Sequence, residues 1–390
     1  MLGILVAIAL AAAPAATPAA EIKVGGIFDL TGVTSDVGKS FARGVRDGVA
    51  WTNENGGING KKINLVEVDY GYKIPEAVAA YKRMVNDDKV IMINGWGTGD
   101  TEGLKALVNA DKIPYVSASF SAKISDPTKT PYNFFVGPSY SDQLRAWLSW
   151  VKQDWKDKTR NPKMAFYYGD NAYGKSPIEA GKLFCKENGI DLVDEEILPG
   201  VFQDATSQLL NTRQKGADYV YINVTTTGVS TVLKDANKLG LKMKFGSNPY
   251  GFGEGLPAVA KELAEGVTGV MPDVPWAENV PGMKKLVDFH KKNHADDTHD
   301  TMYVRGWTYL LVWSEALKRA DKKNALNGEG IKAAMEELHD FDVGGLTNPI
   351  TYTATDHRAS TKTSIYMVKG GKLVKVGEYD MGRKPEWLGL

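Results

Sequence analysis

Short apolar strands alternate with helix-length amphipathic segments along most of this chain, in two successive series. The charged content of 24%, with no long biased tract, excludes a largely disordered chain. The first series reads as strand 22–28, helix 38–53, strand 62–69, helix 75–86, strand 90–94, helix 101–109 and strand 113–117. In its first helix Phe41, Val45 and Val49 recur every four residues and so share one face. The turn Asn55-Gly56-Gly57-Ile58-Asn59-Gly60 stops that helix, because glycine and asparagine tolerate positive φ. The second series runs helix 141–155, strand 163–168, helix 174–188, strand 191–198, helix 203–215, strand 218–224, helix 228–239 and strand 243–247. A helix at 256–264 and a strand at 266–271 follow. Strands separated by such helices pair in parallel, with helices on both faces. The expected fold is therefore α/β, with two doubly wound parallel-sheet lobes.

The last third changes character. Helices are expected at 283–293, 303–320 and 327–338, and a small β finish at 351–353, 363–369 and 372–376, with Gly370-Gly371 as a hairpin turn. No third βαβ series appears, so these helices are expected to complete the first lobe, and the chain to cross between lobes more than once. A length of 390 residues suits two lobes better than one core. Open α/β lobes bind ligands at the carboxyl ends of their strands, which makes the interlobe cleft the expected site.

Composition narrows the function. Lys and Arg total 47, as do Asp and Glu, so no basic excess supports nucleic-acid binding. The single cysteine, Cys185, excludes an internal disulfide and a Cys-cluster metal site. Residues 1–20 carry no charge and begin with an apolar run of signal-peptide length, although no Lys or Arg precedes it. They are expected to be an export signal. Cys185 lies far downstream, so no lipid-anchoring cysteine follows it, and export without disulfides fits the bacterial periplasm.

Catalytic motifs fare poorly. Gly169-Asp170-Asn171-Ala172-Tyr173-Gly174-Lys175-Ser176 satisfies the P-loop spacing after a strand and before a helix. Asp170 would repel a polyphosphate there and Tyr173 is bulky, so an ordinary strand-to-helix loop is the expected role. Gly95-Trp96-Gly97-Thr98-Gly99 and Gly251-Phe252-Gly253-Glu254-Gly255 do not continue as dinucleotide fingerprints. His290, His294 and His299 sit among Asp296, Asp297 and Asp300, but without the H-E-x-x-H pattern, and they read as a solvated helix end. No G-x-S-x-G elbow occurs. Cys185 reads as a buried small hydrophobe. Lobes with a cleft and no catalytic set favour a binding protein over an enzyme, with no cofactor and no metal.

Gly97-Thr98-Gly99-Asp100-Thr101 opens a helix whose N–H groups and dipole suit a carboxylate. Simple capping by Asp100 or Thr101 accounts for the same residues equally well. Trp96 suits stacking on a flat or apolar ligand, or packing on the neighbouring lobe. Ser119 and Ser121 end the next strand beside that loop, as a polar clamp or an ordinary polar loop.

The order Ile22-Lys23-Val24-Gly25, Asp29-Leu30-Thr31-Gly32, Gly44-Val45-Arg46-Asp47-Gly48 and Asn53-Glu54-Asn55-Gly56-Gly57-Ile58-Asn59-Gly60 resembles the type I periplasmic binding proteins, in particular their leucine/isoleucine/valine-binding branch. Asp170-Asn171-Ala172-Tyr173-Gly174 resembles that branch's D-x-x-Y-G motif, and Tyr303-Val304 with the helix that follows matches in order. The resemblance covers residues 21–370. It implies a Venus-flytrap fold with a three-crossing hinge: a first lobe of residues 21–139 and 273–345, a second of 140–272 and 346–375, and a tail of 376–390. It also implies a monomeric receptor delivering a small carboxylate-bearing solute, such as a hydrophobic amino acid, to the inner-membrane permease of an ABC importer. By motif, Thr98 and Gly99 open the binding helix, Ser119 and Ser121 grip carboxylate and amine, Tyr173 reaches from the second lobe, and Tyr303 lies near the hinge. Two departures stand out. Asn248 occupies the place where amino-acid binders carry an acidic residue for the ammonium, and Val37 the place of a frequent aromatic. An unpaired ammonium in a closed cleft is costly, so an aromatic or other non-amino-acid carboxylate is an alternative ligand. A sensory ligand-binding module and an exported hydrolase at His290 and His294 are the competing functions.

Overall fold

The computed structural model describes residues 21–295, 297 and 299–390; the export signal read at residues 1–20 lies outside them. The chain opens with β1 (Glu21–Phe28), α1 (Ser35–Glu54), β2 (Lys62–Asp69), α2 (Ile74–Arg83), β3 (Ile93–Gly95), α3 (Thr98–Asp111), β4 (Tyr115–Ser117) and β5 (Asn133–Phe134). It continues with α4 (Tyr140–Asp154), β6 (Lys163–Gly169), α5 (Ala172–Lys175), α6 (Ile178–Asn188), β7 (Asp191–Leu198), α7 (Thr206–Lys215), β8 (Tyr219–Asn223) and α8 (Thr226–Lys238). Then come β9 (Lys244–Ser247), α9 (Gly255–Ala260), β10 (Thr268–Met271), α10 (Met283–His294), α11 (Thr301–Lys322), α12 (Gly328–Glu336), β11 (Lys362–Lys369) and β12 (Lys372–Asp380).

Two sheets result. The first has the order β2-β1-β3-β4-β5, all parallel. The second has the order β12-β11-β10-β9-β8-β6-β7, parallel from β10 to β7 and closed by the antiparallel β11–β12 hairpin. Successive side chains of a strand point to opposite faces. Accordingly Tyr167 and Ile222 enter one core of the second lobe, while Phe166 and Tyr221 enter the other. Helices on both faces bury both, and β8 is buried at every position.

The first lobe recruits α10, α11 and α12 from late in the chain, and their apolar faces join one core with β1–β5. Two glycines set how closely α1 and α11 approach. A Cβ on Gly306 would lie 2.0 Å from the Phe41 carbonyl oxygen, and one on Gly44 would lie 2.2 Å from that of Tyr303. Backbone packs on backbone there, so no larger side chain fits.

Several boundaries differ from the sequence expectations. Pro177 separates α5 from α6, because proline cannot donate the helical hydrogen bond. No ladder strand forms at 351–353: Ile350 instead bridges Phe341, and Ile350, Tyr352 and Ala359 pack in the first lobe's core. The segment 346–360 therefore belongs with the first lobe rather than the second. β12 extends the second sheet to Asp380, beyond the expected boundary at 375. The last residues fold back as well: the Ser141 hydroxyl donates to the Leu388 carbonyl, and the Arg145 guanidinium lies 4.5 Å from the centre of the Trp387 ring.

The chain passes between the lobes after β5, after β10 and before β11. Bridges Phe135–Arg358 and Asp273–Thr347 tie these segments together. Buried ion pairs reinforce them. Arg305 donates to Asp273 at 2.7 Å with both side chains fully buried, and Arg358 joins Asp142 and Asp356. Burial works against the Arg305 charge, but the charge and hydrogen bond of Asp273 more than offset it, so its pKa lies above the usual arginine value.

Candidate ligand-binding cleft

Loops at the carboxyl ends of the strands meet between the lobes. Thr34, Val37, Tyr72, Trp96, Gly97 and Thr98 from the first lobe face Tyr140, Tyr173, Thr225 and Tyr250 around a small cavity of about 20 Å³. The lobes touch around it. Thr227 donates through its N–H (3.0 Å) and hydroxyl (2.8 Å) to Asp36 on α1. Thr301 donates in the same way to Glu254, at 2.8 and 2.6 Å. The Tyr250 hydroxyl donates to the Ala118 carbonyl across the cleft, and the Tyr250 and Trp96 rings meet at 5.4 Å.

Thr98 is the point of convergence. It begins α3 directly after Gly97, whose lack of a side chain leaves the helix start without a side-chain cap from that position. A Cβ on Gly97 would lie 2.2 Å from Asp100 and 2.3 Å from the Tyr70 hydroxyl, so any larger residue must displace these two buried side chains. The Thr98 hydroxyl lies 2.8 Å from that of Ser119. It also approaches the Tyr140 oxygen, and the Thr98 N–H approaches the Tyr72 oxygen. Burial raises the pKa of both phenols, so both remain protonated donors. Tyr72 is held at φ 58, a conformation that bulky residues rarely adopt and that aims its ring into the cleft. Opposite, Asn223 donates to the carbonyls of Tyr173 and Gly174 and thereby fixes Tyr173 at the cavity wall.

Asp100 turns back toward the start of α3 and accepts from the Tyr70 hydroxyl at 2.9 Å. The start of α3 carries no side-chain cap, and burial pushes the Asp100 carboxyl up to about 6.

The sequence candidates separate into two groups. Trp96, Thr98 and Tyr173 line the cavity, and Ser119 lies behind Thr98. The structure does not bring the others to it. Gly99 faces Ile74 on α2. The Ser121 hydroxyl donates to Glu102 at 2.7 Å. Tyr303 is fully buried and donates to Asp47 at 2.7 Å, away from the cleft. Asn248 is saturated: its carbonyl oxygen accepts from the Tyr173 hydroxyl and the Tyr250 N–H, and its amide donates to Ile222 and Val224. It braces two cavity tyrosines instead of presenting a polar group.

The P-loop-like segment is a capped turn, in which Asn171 accepts from the Gly174 N–H and Lys175 pairs with Asp170 at the surface. His290 is buried against Trp276, His299 and Tyr303, while His294 contacts Asp47 at 3.0 Å. Among the described residues no three metal-binding side chains converge. Burial pushes the Cys185 thiol up to about 12.

A family model described as periplasmic binding protein matches residues 21–372. The chain belongs to the periplasmic binding protein family. It is 24% identical over 389 residues to the Leu/Ile/Val-binding protein homolog 7 of Brucella abortus (strain 2308), covering 95% of this chain and 96% of that one. Its fold is similar to that of an ABC transporter substrate-binding protein from Aeropyrum pernix, with TM-score 0.87 and 30% identity over 95% and 98% of the two chains. It is equally similar to a branched-chain amino acid ABC transporter structure from Thermus thermophilus with bound valine, with TM-score 0.87 and 25% identity over 93% and 97%. The chain is thus a binding protein and not an enzyme.

Sequence reasoning passed over Thr34, Tyr72, Tyr140, Thr225 and Tyr250. The rule that ligands bind at strand carboxyl ends would have found Tyr72, Thr225 and Tyr250 in this binding protein, since each follows β2, β8 or β9 within a few residues.

Proposed function

We propose that this protein is an exported, periplasmic solute receptor of an ABC importer, which closes its lobes around a small carboxylate-bearing molecule and presents it to a membrane permease. Residues 1–20 serve as its export signal. The observation that carries the reading is the group of hydroxyl donors at the start of α3, Thr98 with Tyr140 and Tyr72, enclosed by aromatic rings between two lobes. Hydroxyls and first-turn N–H groups bind a carboxylate without a fixed counter-ion. The relatives support transport, since the Aeropyrum pernix and Thermus thermophilus proteins are described as ABC transporter proteins, the latter with bound valine. Closure follows from contacts that exist only when both lobes meet, such as Thr227 with Asp36 and Thr301 with Glu254.

The test is a thermal-shift screen of aliphatic and aromatic carboxylates, with isothermal titration of the hits. A ligand that binds only the folded state must raise the melting temperature. If no small carboxylate does so, the ligand class is wrong.

A further inference from the structure

The cavity offers hydrogen-bond donors and aromatic faces but no ionised acceptor: none of its lining residues is acidic or basic. The two carboxylates that act on Tyr72 from nearby, Asp29 and Asp100, are engaged elsewhere. Asp29 accepts from the Gly32 N–H and from both the N–H and hydroxyl of Thr34. Asp100 accepts from Tyr70 behind Gly97, and its other oxygen is sealed from solvent. Two neighbouring neutral acceptors are engaged as well. The Ala118 carbonyl, at the end of β4 and next to Ser119, carries the Tyr250 hydroxyl. The Asn248 oxygen carries the Tyr173 hydroxyl and the Tyr250 N–H.

We infer that the site selects monocarboxylates that lack an α-ammonium group, and that Tyr250 is the residue that excludes amino acids. The inference rests on the reading of the cleft as a carboxylate site. A carboxylate supplies only acceptors and matches the hydroxyls of Thr98, Tyr72 and Tyr140. An α-ammonium adds three N–H donors and a charge, and the Ala118 carbonyl beside the site already carries one donor, which leaves it at most one further hydrogen bond to offer. A buried donor without an acceptor is expensive, more so when charged. Charge on the far side of Tyr250 acts in the same sense. The Arg305 guanidinium lies 4.7 Å from the centre of that ring, so the ring already serves one cation and is a poor face for a second.

The experiment compares molecules with one carbon skeleton. Leucine, its des-amino analogue 4-methylpentanoate and the N,N,N-trimethyl derivative of leucine are titrated calorimetrically into the wild-type protein and Tyr250→Phe at neutral pH. The wild type is expected to bind 4-methylpentanoate about ten- to a hundredfold more tightly than leucine, the penalty of one unsatisfied charged donor group. Tyr250→Phe keeps the ring and releases the Ala118 carbonyl, so it should narrow that ratio by improving leucine. Equal or tighter wild-type binding of leucine overturns the inference and leaves the carboxylate reading standing. Tightest binding of the trimethylammonium compound overturns it too, by showing that the rings recognise a cation. If neither these three compounds nor the wider carboxylate screen binds, the carboxylate reading falls and takes the inference with it.

Discussion

Replacing Asp100 by asparagine should make the protein's stability less sensitive to a rise in pH from 5 to 8. Asp100 is 2% exposed, and one of its oxygens has no hydrogen-bond partner. Burial raises its pKa from 3.8 to about 6, against the opposing effect of the Tyr70 hydroxyl. A folded-state value above the unfolded one means that the native chain holds this proton more tightly. The associated stability is complete below pH 4 and is lost as pH rises through 6. A shift of about two units corresponds to about 3 kcal/mol in all, of which about half falls between pH 5 and pH 8. Asparagine keeps an oxygen for Tyr70 and has no charge to bury. Urea unfolding of both proteins at pH 5 and pH 8 isolates the effect, because every other titrating group is shared. The variant should gain about 1.5 kcal/mol relative to wild type between the two pH values. Parallel shifts, or a relative gain by the wild type, would refute the claim that this carboxyl is strained by burial.

Thr98→Ala removes the hydroxyl on which Ser119 and Tyr140 converge; carboxylate affinity should fall about tenfold or more by titration, with the melting temperature of the ligand-free protein little changed. Asp273→Asn leaves Arg305 charged and fully buried without its counter-ion, and chemical denaturation should show a loss of about 3–5 kcal/mol. Gly306→Ala forces a methyl group onto the Phe41 carbonyl oxygen; the two helices must separate, at a stability loss of about 1–3 kcal/mol by the same assay.

Periodicity exposed the architecture because buried strands and amphipathic helices write their burial into the sequence. β6 and β8 are nearly continuous apolar runs, and α1 carries its stripe at Phe41 and Val45. β5, with two residues, has no pattern to read. The return of residues 346–360 to the first lobe rests on long-range packing of Ile350 and Tyr352, to which local propensity is blind. At the site, Trp96, Thr98 and Tyr173 were legible because loop position and motif order agree. Ser121 was nominated by strand-end position and motif, Asn248 and Tyr303 by motif alone, and in the structure each spends its polar atoms on protein partners. The position of Tyr250 after β9 was legible by the strand-end rule, but its bond to a carbonyl in the other lobe, 132 residues away, was not.

The central claim is that the lobes close on a carboxylate held at the start of α3. A crystal structure of the protein grown with 4-methylpentanoate tests it most directly. The ligand should lie between the lobes, with its carboxylate about 3 Å from the Thr98 hydroxyl and from a phenol of Tyr72 or Tyr140. A ligand outside the cleft, or one inside it with its carboxylate turned away from Thr98, would contradict it.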